Sequence, residues 1–336
     1  MKRERLFWLD FIRALATVLI VLTHYNALYI YNVTPPMPEK AVLTMYISNI
    51  YTGDLGVSLF LIVSGASLMY VYGEKCEVLT FYKKRFLNIY PMFWMAYIAV
   101  FLYNFYTYGI IPQGIPYKNF MFTVLGIDKW LVNFSVPTFE LVAEWFLGLI
   151  IIIYLVFPLL RVLVNKHPKI LAVIAVIMYV ISLCTVNKSV TLFARLPEFL
   201  FGMYFVKYIK KVNWKWAASA ALVLILNAIL KPTYNNMIQV TYIGICAFVV
   251  LVWISYFIKA NWVKSVSRTI SKYSYACFII HHVVMCKMVE HIDLSTLSLT
   301  LSWLLFGYIC IMVSVATYIL YHVHDKVVAT LKRPYN

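Results

Sequence analysis

The sequence predicts an all-α integral membrane protein: a polytopic helical bundle of about ten transmembrane helices with both termini in the cytoplasm. Of its 336 residues, 63% are hydrophobic and 12% are charged, a balance too apolar for an ordinary soluble domain. The apolar residues form repeated stretches long enough to cross hydrocarbon as helices. The 29 Lys and Arg residues outnumber the 13 Asp and Glu residues, but they lie in short clusters between those stretches. Such clusters indicate orientation in a membrane, and we expect no nucleic-acid partner.

Ten spans are predicted, with the whole chain, residues 1–336, as a single transmembrane domain. The spans are approximately 7–30, 54–72, 86–108, 141–162, 169–186, 190–208, 214–230, 237–258, 272–290 and 297–321. If successive loops alternate between the two sides of the membrane, most basic residues fall on the side that holds both termini. The positive-inside rule identifies that side as the cytoplasm. Five lysines fall on the opposite side: Lys40, Lys118, Lys129, Lys188 and Lys231.

The first span, Trp8 to Ile30, carries three ionisable residues, Asp10, Arg13 and His24. Such groups are costly inside hydrocarbon unless they have partners or a wet cavity. Asp10 and Arg13 are one helical turn apart, and we expect them to pair. Arg13 and His24 are eleven residues apart, which is close to three turns and roughly 16 Å along a helix. The pattern therefore predicts a cation and a titratable base on one face, and we take this stripe as the candidate core of the function.

Other ionisable residues within the predicted spans offer further candidates. Arg195 and Glu198 are one turn apart and are expected to neutralise each other. Glu144 begins the fourth span at a depth similar to that of His24. Its carboxylate either orients the His24 imidazole and favours the charged form, or it is a solvated interfacial residue. His281 and His282 diverge by about 100° on a helix, so at least one of them is expected to pack or to hydrogen-bond structurally.

Signatures of soluble enzymes and of metal sites are absent from the sequence. It contains no Walker loop, no G-x-G-x-x-G, no G-x-S-x-G and no H-E-x-x-H pattern. The histidines lack a ligand pattern, and we expect no metal. Ser64 and Gly65 form a small pair inside the second span, which is typical of close helix packing. The six cysteines occur singly and are expected to pack as small hydrophobic residues.

Six stretches of the chain resemble, in order, the motifs of the membrane-bound acyltransferase family 3, which O-acylates bacterial surface glycans. The first, LDFIRALATVLIVLTH, is similar to that family's L-D-x-x-R followed by ten residues and a histidine. The others are GVSLFLIVSGASL, FYKKRFLNIYPMFW, EWFLGLIIIIYLVFP, ARLPEFLFGMYF and SKYSYACFIIHH. The resemblance runs from residue 9 to about residue 282, and it places His281 on the family histidine of the last motif.

The resemblance implies a donor, usually acyl-CoA, that is reached from the cytoplasm, and a sugar hydroxyl as the acceptor. His24 matches the residue regarded as catalytic, and Arg13 and Arg85 match arginines needed for activity. Family members often carry a second arginine where this chain has Asn88, and we expect Lys83 and Lys84 to supply that charge. We expect no counterpart of the extracytoplasmic esterase-like domain that is fused to some relatives.

The sequence and the resemblance thus predict a multi-pass O-acyltransferase of the bacterial inner (plasma) membrane. In this prediction His24 is the base, and an acyl group, expected from the resemblance to be acetyl, moves from acyl-CoA to a cell-surface or lipid-linked saccharide. Membrane lipid and the saccharide acceptor are the expected partners, and glycan-assembly proteins are candidate partners. A transporter or flippase for a polysaccharide or its lipid-linked intermediate is the alternative, because intramembrane ionisable residues mark transport pathways as well as active sites.

Overall fold

The computed structural model describes residues 4–109, 112–185 and 190–331, and these are almost entirely helical. The long helices are α1 Phe7–Tyr31, α2 Thr52–Tyr72, α3 Val78–Tyr108, α6 Trp145–Lys166, α7 Pro168–Thr185, α8 Leu192–Tyr204, α9 Trp214–Leu230, α10 Asn236–Ser255, α11 Asn261–Val289 and α12 Leu299–Leu331. Two short helices, α4 Phe120–Val124 and α5 Asp128–Val132, lie in the loop between α3 and α6. Strands β1 Tyr46–Ile47 and β2 Ile50–Tyr51 form an antiparallel pair before α2.

Each of the ten predicted spans coincides with one of the long helices. Seven helices of the described part of the chain are long and apolar enough to cross a membrane: α1, α2, α3, α6, α7, α10 and α12. Of the others, α8 has 13 residues and continues into a π-helical segment, Phe205–Ile209, and α9 has 17 residues. An all-α membrane protein is therefore the observed class, while ten crossings and cytoplasmic termini stay predictions. Lys2, Arg3, Lys188, Lys332 and Arg333, which contribute to the orientation argument, lie outside the described residues.

The chain divides into two compact units that are each discontinuous in sequence, while a single transmembrane domain over residues 1–336 stays a prediction. The first unit comprises Met1–Cys76 and Val156–Ser274, and the second comprises Glu77–Leu155 and Tyr275–Asn336. One boundary falls between α2 and α3, and the other two fall inside α6 and α11. Helices α1, α2 and α7 to α10 belong to the first unit, and α3, α4, α5 and α12 belong to the second.

The core of the first unit forms where α1, α2, α8 and α10 pack together. The ring of Trp8 on α1 makes edge contacts with Phe205 and Phe248, at centroid distances of 5.5 and 5.6 Å. Helices α2 and α8 approach most closely at Gly65 and Gly202. A Cβ at either glycine would collide with backbone of the facing helix. The predicted role of the Ser64–Gly65 pair in close helix packing is therefore confirmed at Gly65.

The second unit contains α3, α12, the part of α6 up to Leu155 and the part of α11 from Tyr275 onward. Polar side chains join its helices through backbone carbonyls. The hydroxyl of Tyr275 donates to the carbonyl oxygen of Ile89 at 3.0 Å, and Nε2 of His324 lies 3.1 Å from the carbonyl oxygen of Leu87. These contacts fix the first half of α3, which carries the predicted basic cluster, against α11 and α12.

Candidate functional site

Helix α1 holds Arg13 and His24 as the sequence predicts, both half-buried within the first unit. The intervening residues are helical without interruption, so the rise between them is roughly 16 Å. The guanidinium of Arg13 donates from Nη2 to Oγ of Ser67 on α2 at 2.9 Å. Arg13 is thereby held against α2, and the stripe lies along a packed face of α1.

The imidazole of His24 is oriented by its own helix. Nδ1 lies 2.9 Å from the carbonyl oxygen of Ile20, one turn earlier. Because a carbonyl oxygen can only accept, this hydrogen bond requires the proton on Nδ1. A neutral His24 therefore has its lone pair on Nε2. The arrangement suits a group that accepts a proton from a substrate hydroxyl.

Two residues beyond His24, the buried side chain of Asn26 ties the following loop to α1. Its Oδ1 accepts from the backbone N–H of Val42 at 2.8 Å, and its Nδ2 donates to the carbonyl oxygen of Val42 at 2.9 Å. Sequence reasoning missed Asn26, although a buried amide near the end of an apolar helix is a recognisable signal of a loop anchor. The contact fixes the chain that follows the His24 end of α1.

The predicted pairing of Asp10 with Arg13 is corrected by the structure. The two carboxylate oxygens of Asp10 accept from Arg5, at 2.5 and 2.9 Å, and Oδ1 also accepts from Oγ of Ser271 at 2.8 Å. The prediction failed because Arg5 lies before the helix begins and because the tertiary fold supplies Ser271. Asp10 therefore joins the N-terminal end of α1 to α11.

Arg195 and Glu198 are in contact as predicted, but within a larger network. Both side chains are fully buried, with Nη1 of Arg195 3.3 Å from Oε1 of Glu198. Nη2 of Arg195 also lies 2.8 Å from Oδ1 of Asp54 on α2, and Oγ of Ser58 donates to Oε1 of Glu198. Oε2 of Glu198 has no hydrogen-bond partner among the described residues. Sequence reasoning missed Asp54 and Ser58, which reach the pair only because α2 packs on α8.

The candidate Ser64 is half-buried on α2, one residue before the close approach at Gly65. Its position is explained by the helix packing. The structure gives it no link to the stripe on α1.

In the second unit, the basic cluster at the start of α3 presents two kinds of cation. Lys83 and Lys84 are exposed, whereas Arg85 is half-buried. The guanidinium carbon of Arg85 lies 5.6 Å from the ring centre of Phe81 and 5.7 Å from that of Tyr154, within cation–π range. Its buried Nε has no hydrogen-bond partner in the described part of the chain. The cluster thus offers two exposed lysines beside an arginine held by aromatic rings.

The second unit also holds Glu144, His281 and His282. Nδ1 of His281 contacts the carbonyl oxygens of Cys277 and Phe278, at 3.1 and 3.0 Å, and its side chain is fully buried. The prediction that at least one of the two histidines has a structural role is confirmed for His281. Nδ1 of His282 lies 2.9 Å from Oε1 of Glu144. His282 is therefore an imidazole partner of Glu144, whereas the sequence left open whether this carboxylate orients His24 or is a solvated interfacial residue.

The structure thus brings Arg13 and His24 onto one helix and joins Arg195 to Glu198. It also places the carboxylate of Glu144 in contact with His282, the residue that follows the candidate His281. Within residues 4–109, 112–185 and 190–331, no group of three or more His, Cys, Asp and Glu side chains could hold a metal ion.

Comparison with known proteins agrees with this picture. A family model described as an acyltransferase domain matches residues 6–322. The chain is also 28% identical over 124 residues to "Acyltransferase MdmB" of Streptomyces mycarofaciens, a segment that covers 34% of this chain and 30% of that relative. No solved structure matches the chain. Because the family model spans nearly the whole sequence, the resemblance carried by the six motifs is confirmed: the chain belongs to the membrane-bound acyltransferase family 3.

Proposed function

We propose that this membrane acyltransferase moves an acetyl group from acyl-CoA to a hydroxyl of a saccharide, which is lipid-linked or on the cell surface. The observation that carries the proposal is the imidazole of His24, whose Nδ1 is committed to the Ile20 carbonyl. This geometry puts the lone pair of the neutral ring on Nε2. The family assignment supports acyl transfer as the reaction.

In the proposed reaction, His24 takes the proton of the acceptor hydroxyl as that oxygen attacks the thioester carbonyl carbon. The bond between carbonyl carbon and sulfur then breaks, and the leaving thiolate receives the proton. A neutral imidazole near pH 7 is suited to both steps. The hydrogen bond to Ile20 keeps the ring in the required tautomer and limits its rotation.

We assign binding of the acyl-CoA donor to the basic residues at the start of α3 and to Arg13 on α1. The coenzyme A moiety is rich in phosphate, and Lys83 and Lys84 are exposed cations that suit phosphate oxygens. Arg85 has an unused Nε–H beside the two rings that hold it, and a guanidinium can bind phosphate in a bidentate manner. Arg13, at the other end of the α1 stripe from His24, is proposed as a further donor-binding residue.

The cellular setting follows from the same features. The basic clusters between apolar helices favour a bacterial inner membrane with this cluster on the cytoplasmic side, where acyl-CoA is available. Membrane lipid, a saccharide acceptor and glycan-assembly proteins are the proposed partners.

The test is chemical. Purified protein in proteoliposomes would be supplied with acetyl-CoA labelled in the acetyl group and with glycan extracted from the host envelope. The proposal expects label covalently attached to glycan. Movement of unmodified glycan across the bilayer without labelling would contradict the proposal and favour transport.

A further inference from the structure

The carboxylate of Glu144 and the imidazole of His282 face each other in the second unit. Neither residue belongs to the stripe of Arg13 and His24 on α1. Oε1 of Glu144 lies 2.9 Å from Nδ1 of His282, and their side chains are 13% and 40% exposed. The carboxylate is thus mostly sheltered, whereas the imidazole is partly exposed. Such a pair resembles the orienting carboxylate and base of acyl-transfer enzymes.

The backbone around Glu144 is fixed from both sides. The N–H of Ala143 donates to the carbonyl oxygen of Ile279 on α11 at 3.0 Å. The ring of Phe146 packs edge-on against that of Phe278 at 5.5 Å. Glu144 lies between these two contacts, so its carboxylate is held against the face of α11 that carries His282.

A nucleophile lies one turn beyond the imidazole. Cys286 follows His282 by four residues on α11, the spacing at which helical side chains meet. This spacing places its side chain beside the imidazole of His282, and the residue is half-buried with a free thiol. Because the carboxylate of Glu144 can only accept while ionised, it favours the proton on Nδ1 of His282, which leaves the lone pair on Nε2.

We propose that Cys286, His282 and Glu144 form an acyl-accepting site, in which Cys286 takes an acyl group from a thioester to form an S-acyl cysteine. The inference rests on the proposed function only for the chemical class of the donor. A cysteine beside a base that is oriented by a third group has the arrangement of an activated nucleophile.

The step balances without an oxidant or a further reactant. His282 takes the proton of the Cys286 thiol, and the thiolate sulfur attacks the carbonyl carbon of the thioester. A new bond forms between Sγ and the acyl carbon, the donor's carbon–sulfur bond breaks, and the leaving thiolate takes the proton from His282. Attack on the S-acyl cysteine by a hydroxyl would reverse the proton path and regenerate the thiol.

The test uses the full-length protein in detergent, which gives reactants access to both faces. The wild-type protein is incubated at pH 7 with acetyl-CoA labelled in the acetyl group, without acceptor. Peptide mass spectrometry then locates the acetyl groups that neutral hydroxylamine removes. Cys184, which is exposed on α7, serves as an internal control for uncatalysed acetylation. The variants Glu144→Gln and His282→Gln are compared, with monodispersity on gel filtration as the folding control.

We expect Cys286 to be acetylated at least about tenfold faster than Cys184. Each variant should lower the rate at Cys286 by about tenfold or more, because a positioned base accelerates such steps by a factor on the order of 10²–10⁴. Equal rates at the two cysteines, or no acetyl group on Cys286, would overturn the proposal, and the wild-type measurement alone suffices for that. If glycan is labelled while Cys286 is not, this inference fails and the proposed function stands. If Cys286 is acetylated but no glycan is ever labelled, the proposed function fails and this inference stands.

Discussion

The Nδ1 atom of His24 lies 2.9 Å from the carbonyl oxygen of Ile20, one turn earlier on the same helix. The ring is therefore held by backbone, which no side-chain substitution at Ile20 removes. By contrast, the imidazole of His282 contacts the carboxylate of Glu144. The substitution Glu144→Gln removes the charge of that carboxylate. This difference makes the two histidines separable by mutation.

The close approach of α2 and α8 predicts a large loss of stability when either glycine gains a side chain. A Cβ at Gly65 would collide with the carbonyl oxygen of Phe199, and one at Gly202 with that of Ile62. We expect Gly65→Ala and Gly202→Ala each to cost about 1–3 kcal/mol or more, since both clashes are with backbone. Thermal unfolding in detergent measures the effect. Gly307→Ala on α12 is the matched control, because nothing lies within 4 Å of its added Cβ, and it should be neutral or stabilising by up to about 1 kcal/mol.

The buried network around Arg195 predicts an asymmetry between its partners. Arg195→Met would leave Asp54 and Glu198 without their cation, and removal of one member of a buried ion pair costs about 3–5 kcal/mol. Glu198→Gln should cost less, because the amide oxygen can still accept from Ser58 and Arg195 keeps Asp54 as its counter-ion. The double variant should recover part of the loss caused by Arg195→Met. Additive losses in thermal unfolding would show that the two residues are not energetically coupled.

Asp128 predicts a pH dependence in the loop between α3 and α6. Burial raises the pKa of Asp128 to about 6, although the N–H of Lys129 and the hydroxyl of Thr123 favour the charged form. The folded protein thus binds this proton more tightly than the unfolded chain, and stability falls as pH rises from about 4 to about 6. The loss through this group is roughly 3 kcal/mol at most, from the size of the pKa difference. Asp128→Asn should remove this part of the slope, which melting curves between pH 4 and pH 7 would reveal. An unchanged slope in the variant would contradict the assignment.

The basic cluster of α3 predicts that donor binding can be both weakened and strengthened. Lys84→Gln should raise the KM for acetyl-CoA several-fold with little change in kcat, since an exposed cation contributes to binding. Asn88 is exposed on the same helix, and Asn88→Arg adds a cation one turn from Arg85. It should therefore lower the KM. Steady-state kinetics checks both, and a KM that is indifferent to both substitutions would place donor binding elsewhere.

Sequence predicted most of what depends on a single helix. The positions of the long helices follow from apolar stretches, and the stripe of Arg13 and His24 follows from helical periodicity. What it missed depends on tertiary contacts. Asp10 binds Arg5 and Ser271, and Ser271 is separated from Asp10 by 261 positions along the chain.

The same reason explains why His282 was not predicted as a partner of Glu144. Helical divergence indicated that His281 and His282 could not share a site, but it could not tell which one faces a partner. The structure decides in favour of His282 because Ala143 binds α11 through its backbone. Likewise, Asp54 joins Arg195 only because glycines let α2 and α8 approach closely.

His24 is proposed above as the general base of acyl transfer. The most direct measurement compares labelled acetyl transfer to glycan by the wild-type protein, His24→Ala and His167→Ala in proteoliposomes. His167 is exposed between α6 and α7 and controls for the loss of an imidazole as such. We expect His24→Ala to lower transfer by about 10²–10⁴-fold with donor binding retained, and His167→Ala to be fully active. Transfer by His24→Ala at the wild-type rate would contradict the account.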